Sequence, residues 1–438
     1  MFQTFKNAWK VPELKKKLLF TLLIILLYRI GANIVVPFVN TDVITSAGNF
    51  YDGNIFQFVN WLSGGAFAQG TLFALSVTPY ITASIVMQLL TIAIPALEKI
   101  SKDGEEGKKK IATITRWVTV GLALITAYGY VKLLGSYGML TISKTSDKAM
   151  YYFGTVLMVL CLCAGASLIM WLAEKINVHG IGNGISMILF ANILSRGTDA
   201  VLSLVAMVTG KEKWWQYVLG GLEIILSLAL ALAVVVLVVW FTNSERRIPI
   251  QYAKRVVGRK MYGGQSSNLP LKMNMTGVMP LIFASSIVSI PATIAGFMGQ
   301  DSGFAKFLNN YFSATTPVYI ILFIVLIFLF SYFYITISFN PVEVANNIRN
   351  NGGSVPGIRP GKPTSDYIKK ILNRITFIGA IFLSVIAALP MVIAIFAPGF
   401  SSMAFAGSSL LIVVGVALET VRELEAQLAM RNYKGFLD

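Results

Sequence analysis

Apolar residues run along this chain in long, nearly unbroken stretches rather than as stripes on one face of a helix or strand. A helix needs roughly 20 such residues to cross a bilayer. Stretches of that kind recur near 18–36, 71–95, 114–135, 151–173, 181–203, 216–242, 275–297, 316–340, 371–394 and 402–421, so the pattern predicts ten membrane spans. Those around 224–241 and 319–337 are apolar almost throughout, whereas 71–95 and 181–203 are diluted by Gly, Ser and Thr. Ten spans divide into five and five, and an odd number per half forces the halves into opposite orientation. The expected fold is therefore an all-α integral membrane protein with two inverted five-helix halves, 18–210 and 211–421.

The intervals between the spans add detail. Residues 1–17 are short and basic, with Trp9 and Pro12, and predict an amphipathic helix at the membrane surface. Residues 422–438 form a polar tail, and 37–57 are polar as well. The stretch 58–70, with Trp61, Gly64, Gly65 and Phe67, is apolar but too short and too glycine-rich to span. Irregular backbone is tolerated at membrane depth only inside protein or beside water. This stretch thus predicts a re-entrant half-helix, and with it a pore or cavity. Two basic loops, 243–273 and 341–370, stand out for their length. Together they hold 12 Lys/Arg against three acids, Glu245, Glu343 and Asp366. A long ordered loop must bury its backbone polar groups or present them to a partner, so the pair predicts a docking platform.

The basic residues also orient the chain. With the N-terminus inside, alternate loops and the two ends carry 28 of the 36 Lys/Arg, the opposite face carries seven, and Arg29 lies within the first span. That bias puts both ends on the cytoplasmic side and concentrates the formal net charge of +16 there. Composition agrees with a membrane protein: 55% hydrophobic residues, 13% charged residues and a mean hydropathy of +0.70. The first span follows Lys15-Lys16-Lys17 but is too long for a signal peptide and lacks a small-residue cleavage site, so it reads as retained. Cys161 and Cys163 sit within the fourth span with no His or acid nearby and read as packing residues.

Candidate chemistry is sparse. The run Gly180-Ile181-Gly182-Asn183-Gly184 lacks the preceding strand and the following Lys-Ser/Thr of a phosphate loop, and reads as close helix packing. His179 is the one histidine, which excludes a His-rich metal site, and no Gly-x-Ser-x-Gly elbow accompanies it. No cofactor is expected. Ionisable groups within spans usually mark a transport pathway, but here only Arg29 lies deep, with Glu223 and Glu419 near span ends. This counts against the alternative reading, an inverted-repeat secondary transporter, and against a membrane-embedded enzyme. Uncharged polar residues do cluster in the second and seventh spans, each with an internal proline, Pro79 and Pro280. Ordinary interhelical hydrogen bonds and kinks account for them. So does a seam of weak polar contacts that can part.

At these residues the chain resembles the SecY family, channel subunits of the bacterial protein translocase. The resemblance rests on Tyr28-Arg29-Ile30-Gly31, on Gly64-Gly65-Ala66-Phe67 through Gln88-Leu89-Leu90-Thr91, and on Gly180 to Ser186. It continues through Arg246-Arg247-Ile248-Pro249, Met279-Pro280-Leu281-Ile282-Phe283-Ala284-Ser285-Ser286, Pro356 to Gly361 and Arg431-Asn432-Tyr433-Lys434-Gly435-Phe436. It implies a channel that passes unfolded secretory polypeptides across the plasma membrane and releases apolar segments sideways into lipid. Its constriction would be a ring of Ile81, Ile85, Ile185, Leu189, Ile282 and Ile412, with Leu189 where many relatives have isoleucine. The half-helix at 58–70 would be the plug, and Gln88, Thr91, Ser285 and Ser286 the polar seam of the lateral gate. The basic loops would dock the motor ATPase SecA and the ribosome through Arg246, Arg247, Lys254, Arg255 and Arg359. SecE-like and SecG-like small subunits, signal peptides and preproteins, and anionic lipids are the other implied partners.

Overall fold

The computed structural model describes residues 2–40, 55–136, 138–142, 148–198, 214–252, 255–257, 260–262, 266–298, 303, 307, 311, 316–396 and 406–434. Its helices begin with α1 (Phe2–Lys10), α2 (Pro12–Gly31), α3 (Ile55–Leu62), α4 (Thr78–Ala93), α5 (Pro95–Lys102), α6 (Gly104–Ser136) and α7 (Lys148–His179). They continue with α8 (Gly184–Ser195), α9 (Trp214–Asn243), α10 (Met279–Met298), α11 (Pro317–Ser338), α12 (Pro341–Asn350), α13 (Lys362–Phe396) and α14 (Ala406–Lys434). The strands are β1 (Glu245–Tyr252), β2 (Arg255–Val257), β3 (Lys260–Tyr262), β4 (Ser266–Lys272) and β5 (Gly353–Ser354).

Each of the ten expected spans coincides with a helix: α2, α4, α6 to α11, α13 and α14. Among the described residues, five helical segments suffice by length and composition alone to cross a membrane: α6, α7, residues 224–243 of α9, α11 taken together with α12 (317–350) and most of α13. The pair α4 and α5, bent by 102° between them, makes a sixth if counted as one span. Helix α8 and residues 279–291 of α10 are apolar but shorter, and α2 and α14 each carry charged turns at one end.

Proline sets where several of these helices start. Pro12, Pro79, Pro95, Pro317 and Pro341 all lie in the first turn of their helices, where the missing N–H has no intrahelical partner to lose. This corrects the expectation that Pro79 and Pro280 kink the second and seventh spans. Pro79 opens α4, Pro280 is the second residue of α10, and the proline inside α10 is Pro291. The second span is likewise shorter than expected, because 63–77 folds into turns before α4 begins.

Segments from distant parts of the chain gather at two ends of the bundle. At the basic end, Thr4 donates to Glu425 (3.0 Å), the Gly182 N–H to Glu423 (2.9 Å) and Arg422 to the Thr242 carbonyl (2.6 Å). At the other end, Leu72 N–H bonds to Ile34 O (2.8 Å) and Asn40 N–H to Met139 O (2.9 Å). Between the ends, α4 and α6 pack on α10, α8 packs on α7 and α14, and α10, α11, α13 and α14 pack in succession.

The first basic loop is a β-hairpin, which the sequence pattern did not predict. Strands β1 and β4 pair antiparallel from Glu245–Lys272 to Gln251–Ser266, and β2 pairs with β3 beyond them. Strand β5, from the second loop, joins the other edge of β1 at Gln251–Ser354 and Tyr252–Gly353. Ile248, Ile250 and Leu271 of the hairpin bury against Ile348, Val355, Ile368, Leu372 and Ile375. The two basic loops are therefore one body with its own apolar core.

Candidate functional site

The six side chains expected at the constriction come from four helices: Ile81 and Ile85 from α4, Ile185 and Leu189 from α8, Ile282 from α10 and Ile412 from α14. The structure brings all six into one apolar cluster, with Ile185 partly buried and the other five at most 2% exposed. The ring is shut. Placement of its α8 members follows from local capping. The Asn183 side chain accepts from the N–H groups of Ile185 (3.0 Å) and Ser186 (3.4 Å), which starts the helix there. An aliphatic ring of this kind sheds water and blocks ions, and it offers a passing chain no fixed hydrogen-bond partner.

The half-helix is shorter than expected and begins earlier. Helix α3 ends at Leu62, and the remainder of 58–70 is a folded turn in which Gly64, Gly65 and Gly70 have φ of 66°, 94° and 61°. Those values suit glycine, so the Gly-Gly pair turns the chain rather than extending the helix. Within the turn, Asn60 accepts from Ala68 N–H (3.0 Å) and Ser63 from Phe67 N–H (3.0 Å). Leu62 and Ala66 belong to the same cluster as the ring. Trp61 is half-buried, and Phe67 is buried against the Tyr130 ring, whose hydroxyl donates to the Phe67 carbonyl. Asn192 of α8 donates to Leu62 O (2.7 Å) and to Tyr28 Oη (2.9 Å), and Ser76 also donates to Leu62 O (3.2 Å). Arg29 and Asn192 each leave one buried polar atom, Nη1 and Oδ1, without a hydrogen-bond partner. Asn192, alone in an apolar helix, carried no signal in the sequence that pointed to this position.

The four residues expected along the seam do not bond across it. Thr91 donates to Met87 O and Gln88 O, Gln88 to Ser84, and both Ser285 and Ser286 to Ile282 O, each within its own helix. Hydroxyls in apolar helices satisfy themselves this way when no partner stands opposite. A cavity of about 280 Å³ separates α4, α6 and α10 beside the half-helix, lined by apolar side chains with Thr78, Thr82, Thr126, Ser286 and Ser289 among them. Ser286 thus faces the first turns of α4. Gln88 and Thr91 lie outside this lining, and Thr91 is nine residues beyond Thr82, roughly 13 Å along a helix. Thr78 and Thr82 are the polar residues of α4 that line the cavity.

On the platform, Arg246 and Arg247 are exposed on β1, and Arg247 pairs with Glu245 at 2.7 Å. The backbone of Arg255 pairs with Tyr262 in the outer ribbon, and Lys254 lies outside the described residues. Arg359 is exposed on a turn bounded by Gly357 and Gly361, with φ of 79° and 99°. Ile358 N–H bonds to Val355 O (3.0 Å), and Thr364 donates to the Arg359 carbonyl (2.9 Å). These bonds hold the backbone while the guanidinium stays outside.

Long apolar helices gathered around one central buried cluster make this a multi-pass membrane protein of the protein-conducting channel class. The SecY family model matches residues 71–421. The protein translocase subunit SecY of Streptomyces galbus is 42% identical over 443 residues, covering 100% of both chains. In fold, the chain is similar to a solved protein-conducting channel (TM-score 0.66, 19% identity, 96% of each chain). It is also similar to Sec61 in the canine ribosome–channel complex from the endoplasmic reticulum (TM-score 0.62, 18% identity, 96% of each chain). The chain belongs to the SecY family, the channel subunit of the protein translocase. The secondary-transporter alternative finds no support among these relatives.

Proposed function

We propose that this chain conducts unfolded polypeptides through the ring of Ile81, Ile85, Ile185, Leu189, Ile282 and Ile412, with 55–70 as its plug. The observation that carries this reading is that ring side chains from four helices share one buried cluster with Leu62 and Ala66 of the half-helix. Opening needs the stopper to leave and the ring to widen, and both are held mainly by packing. The halves 18–210 and 211–421 part where α4 and α6 meet α10, and an apolar segment leaves for lipid along the cavity between those helices.

The basic end faces the cytoplasm of a bacterial cell, consistent with the charge bias, and anionic lipids meet Lys6, Lys10 and Lys15 around the exposed Trp9. SecE-like and SecG-like subunits complete the channel. SecA and the ribosome dock on the joined loops, the ribosome being also the partner of the canine channel of like fold. Energy comes from these partners. Arg359, fixed in backbone and free in side chain, suits a bidentate contact to carboxylate or phosphate. Arg359→Glu is expected to cut SecA-driven transport of a preprotein into reconstituted vesicles by about tenfold or more, the value of one charge-assisted contact. Protease protection of the preprotein measures it. Transport at the normal rate would remove Arg359 from the docking site.

A further inference from the structure

The end of α3 poses a specific accounting problem. The last carbonyls of a helix have no partner within it and must find one elsewhere. Here Val59 O takes Ser63 N–H (2.9 Å), Asn60 O takes Gly65 N–H (2.9 Å) and Trp61 O takes Gly64 N–H (3.1 Å). The fourth carbonyl, Leu62 O, is handed to Asn192 Nδ2 of α8 at 2.7 Å, with Ser76 as a second, longer donor. Asn192 is fully buried and gives its other amide hydrogen to Tyr28 Oη. Its Oδ1 is buried and unpartnered, and so is Arg29 Nη1. Both atoms converge on Gly64: a Cβ built there would lie 3.1 Å from Asn192 Oδ1 and 2.8 Å from Arg29 Nη1. An acceptor and a charged donor, each lacking a partner, thus face the same turn of the stopper, and buried groups so placed gain when one becomes available.

We propose that Asn192 is the positioning residue that clasps the half-helix in the shut channel, and that Arg29 takes over the Asn192 amide when the half-helix leaves. The inference rests on reading 55–70 as the plug. In the shut state Asn192 gives its N–H to Leu62 O. Withdrawal of the turn frees Leu62 O to bond elsewhere and clears Gly64 from in front of the two unpartnered atoms. Arg29 Nη1 then donates to Asn192 Oδ1. Release of the stopper thus exchanges one buried orphan of the amide, Oδ1, for another, the Nδ2 hydrogen that Leu62 O had accepted, while Arg29 Nη1 gains the partner it lacks in the shut state.

The test uses the full chain with its small membrane subunits in planar bilayers, read as resting ion conductance. Deletion of 60–68 is the reference and is expected to raise it. Asn192→Leu, which removes both donors at similar volume, is expected to raise it at least tenfold. Combined with the deletion it should add nothing, because the clasp acts through the segment removed. Arg29→Gln is expected to leave the shut channel tight and to shorten the openings. Should Asn192→Leu fail to assemble, Asn192→Asp decides, since a carboxylate cannot donate to Leu62 O and is expected to raise conductance likewise. Wild-type conductance in the Asn192 variant, with the deletion leaky, overturns the clasp. Unchanged conductance in the deletion itself overturns the plug reading instead.

Discussion

Two apolar clusters in this molecule look alike by composition and differ in how they are tied. The central one, around Ile81, Ile85, Leu189, Ile282 and Ile412, joins helices from both halves of the chain. The four polar residues expected along its seam, Gln88, Thr91, Ser285 and Ser286, bond back to their own helices. The other, around Ile248, Ile250, Ile348 and Ile368, lies beneath a β-ladder that laces the two basic loops together. Within a bilayer, lipid tails are as apolar as leucine, so helices there associate by packing rather than by a hydrophobic driving force. Packing without directional bonds comes apart along a clean surface. A ladder must break many bonds at once, so it stays whole. In the function proposed above, the first cluster is the one that parts and the second the one that stays whole.

The sharpest break in that comparison is expected on the platform. Ile368 is fully buried at the centre of its core. Ile368→Ala removes methyl groups that nothing nearby replaces, at a cost of about 2–5 kcal/mol. The lower bound already raises the locally open population about 30-fold. Hydrogen exchange at the amides of β1 and β4 should accelerate accordingly, while resting ion conductance stays at its wild-type value. A rise in conductance would mean that the two clusters move as one unit.

Next in size is the ring. Ile282→Asn places an amide where its neighbours are aliphatic, and an unpaired buried amide costs about 1–3 kcal/mol by mutational measure. That penalty falls on the dry, shut ring and not on a hydrated one, so the balance shifts toward the conducting form by roughly 5- to 150-fold. Conductance in planar bilayers reads this directly. Hydrogen exchange of the platform strands should not change, which is the converse of the first result.

What could be read from the sequence follows the same division. The spans are legible because a bilayer imposes one length on all of them, whereas the six residues expected at the ring come from the family resemblance and are here seen to share one apolar cluster. The hairpin is not legible, because in β1 only Ile248 and Ile250 are fully buried, with Tyr252 partly so, among Glu, Arg, Pro and Gln. Its period of two is too brief to stand out among so many charges. Pro79 and Pro280 mislead because a proline early in a helix and one inside it read the same until the start is known. Asn192 escapes notice because one of its two partners is a backbone carbonyl, and Leu62 O leaves no mark in the sequence.

The smallest effect concerns the junction between platform and bundle, where Lys272 ends β4 opposite Glu245. Arg422 stands near it, anchored on Thr242 O (2.6 Å) and Asn243 Oδ1 (2.8 Å) at the end of α9. Partial desolvation, and then the charge of Arg422, hold the Lys272 ammonium below the usual lysine range; Glu245 and Glu419 pull the other way. A lysine whose folded value is lowered binds fewer protons folded than unfolded between the two values. Stability therefore rises with pH across that alkaline window, and at neutral pH the charged side chain is a small burden. Lys272→Gln should leave thermal stability at pH 7 unchanged or raise it by less than about 1 kcal/mol, the range of solvent-screened charges. The difference from wild type should vanish as pH approaches about 10.4, where an ordinary lysine loses its proton. A loss of stability at pH 7 would make the Lys272–Glu245 contact a true tie between platform and bundle. The fixed cluster would then owe part of its rigidity to charge rather than to its ladder and core.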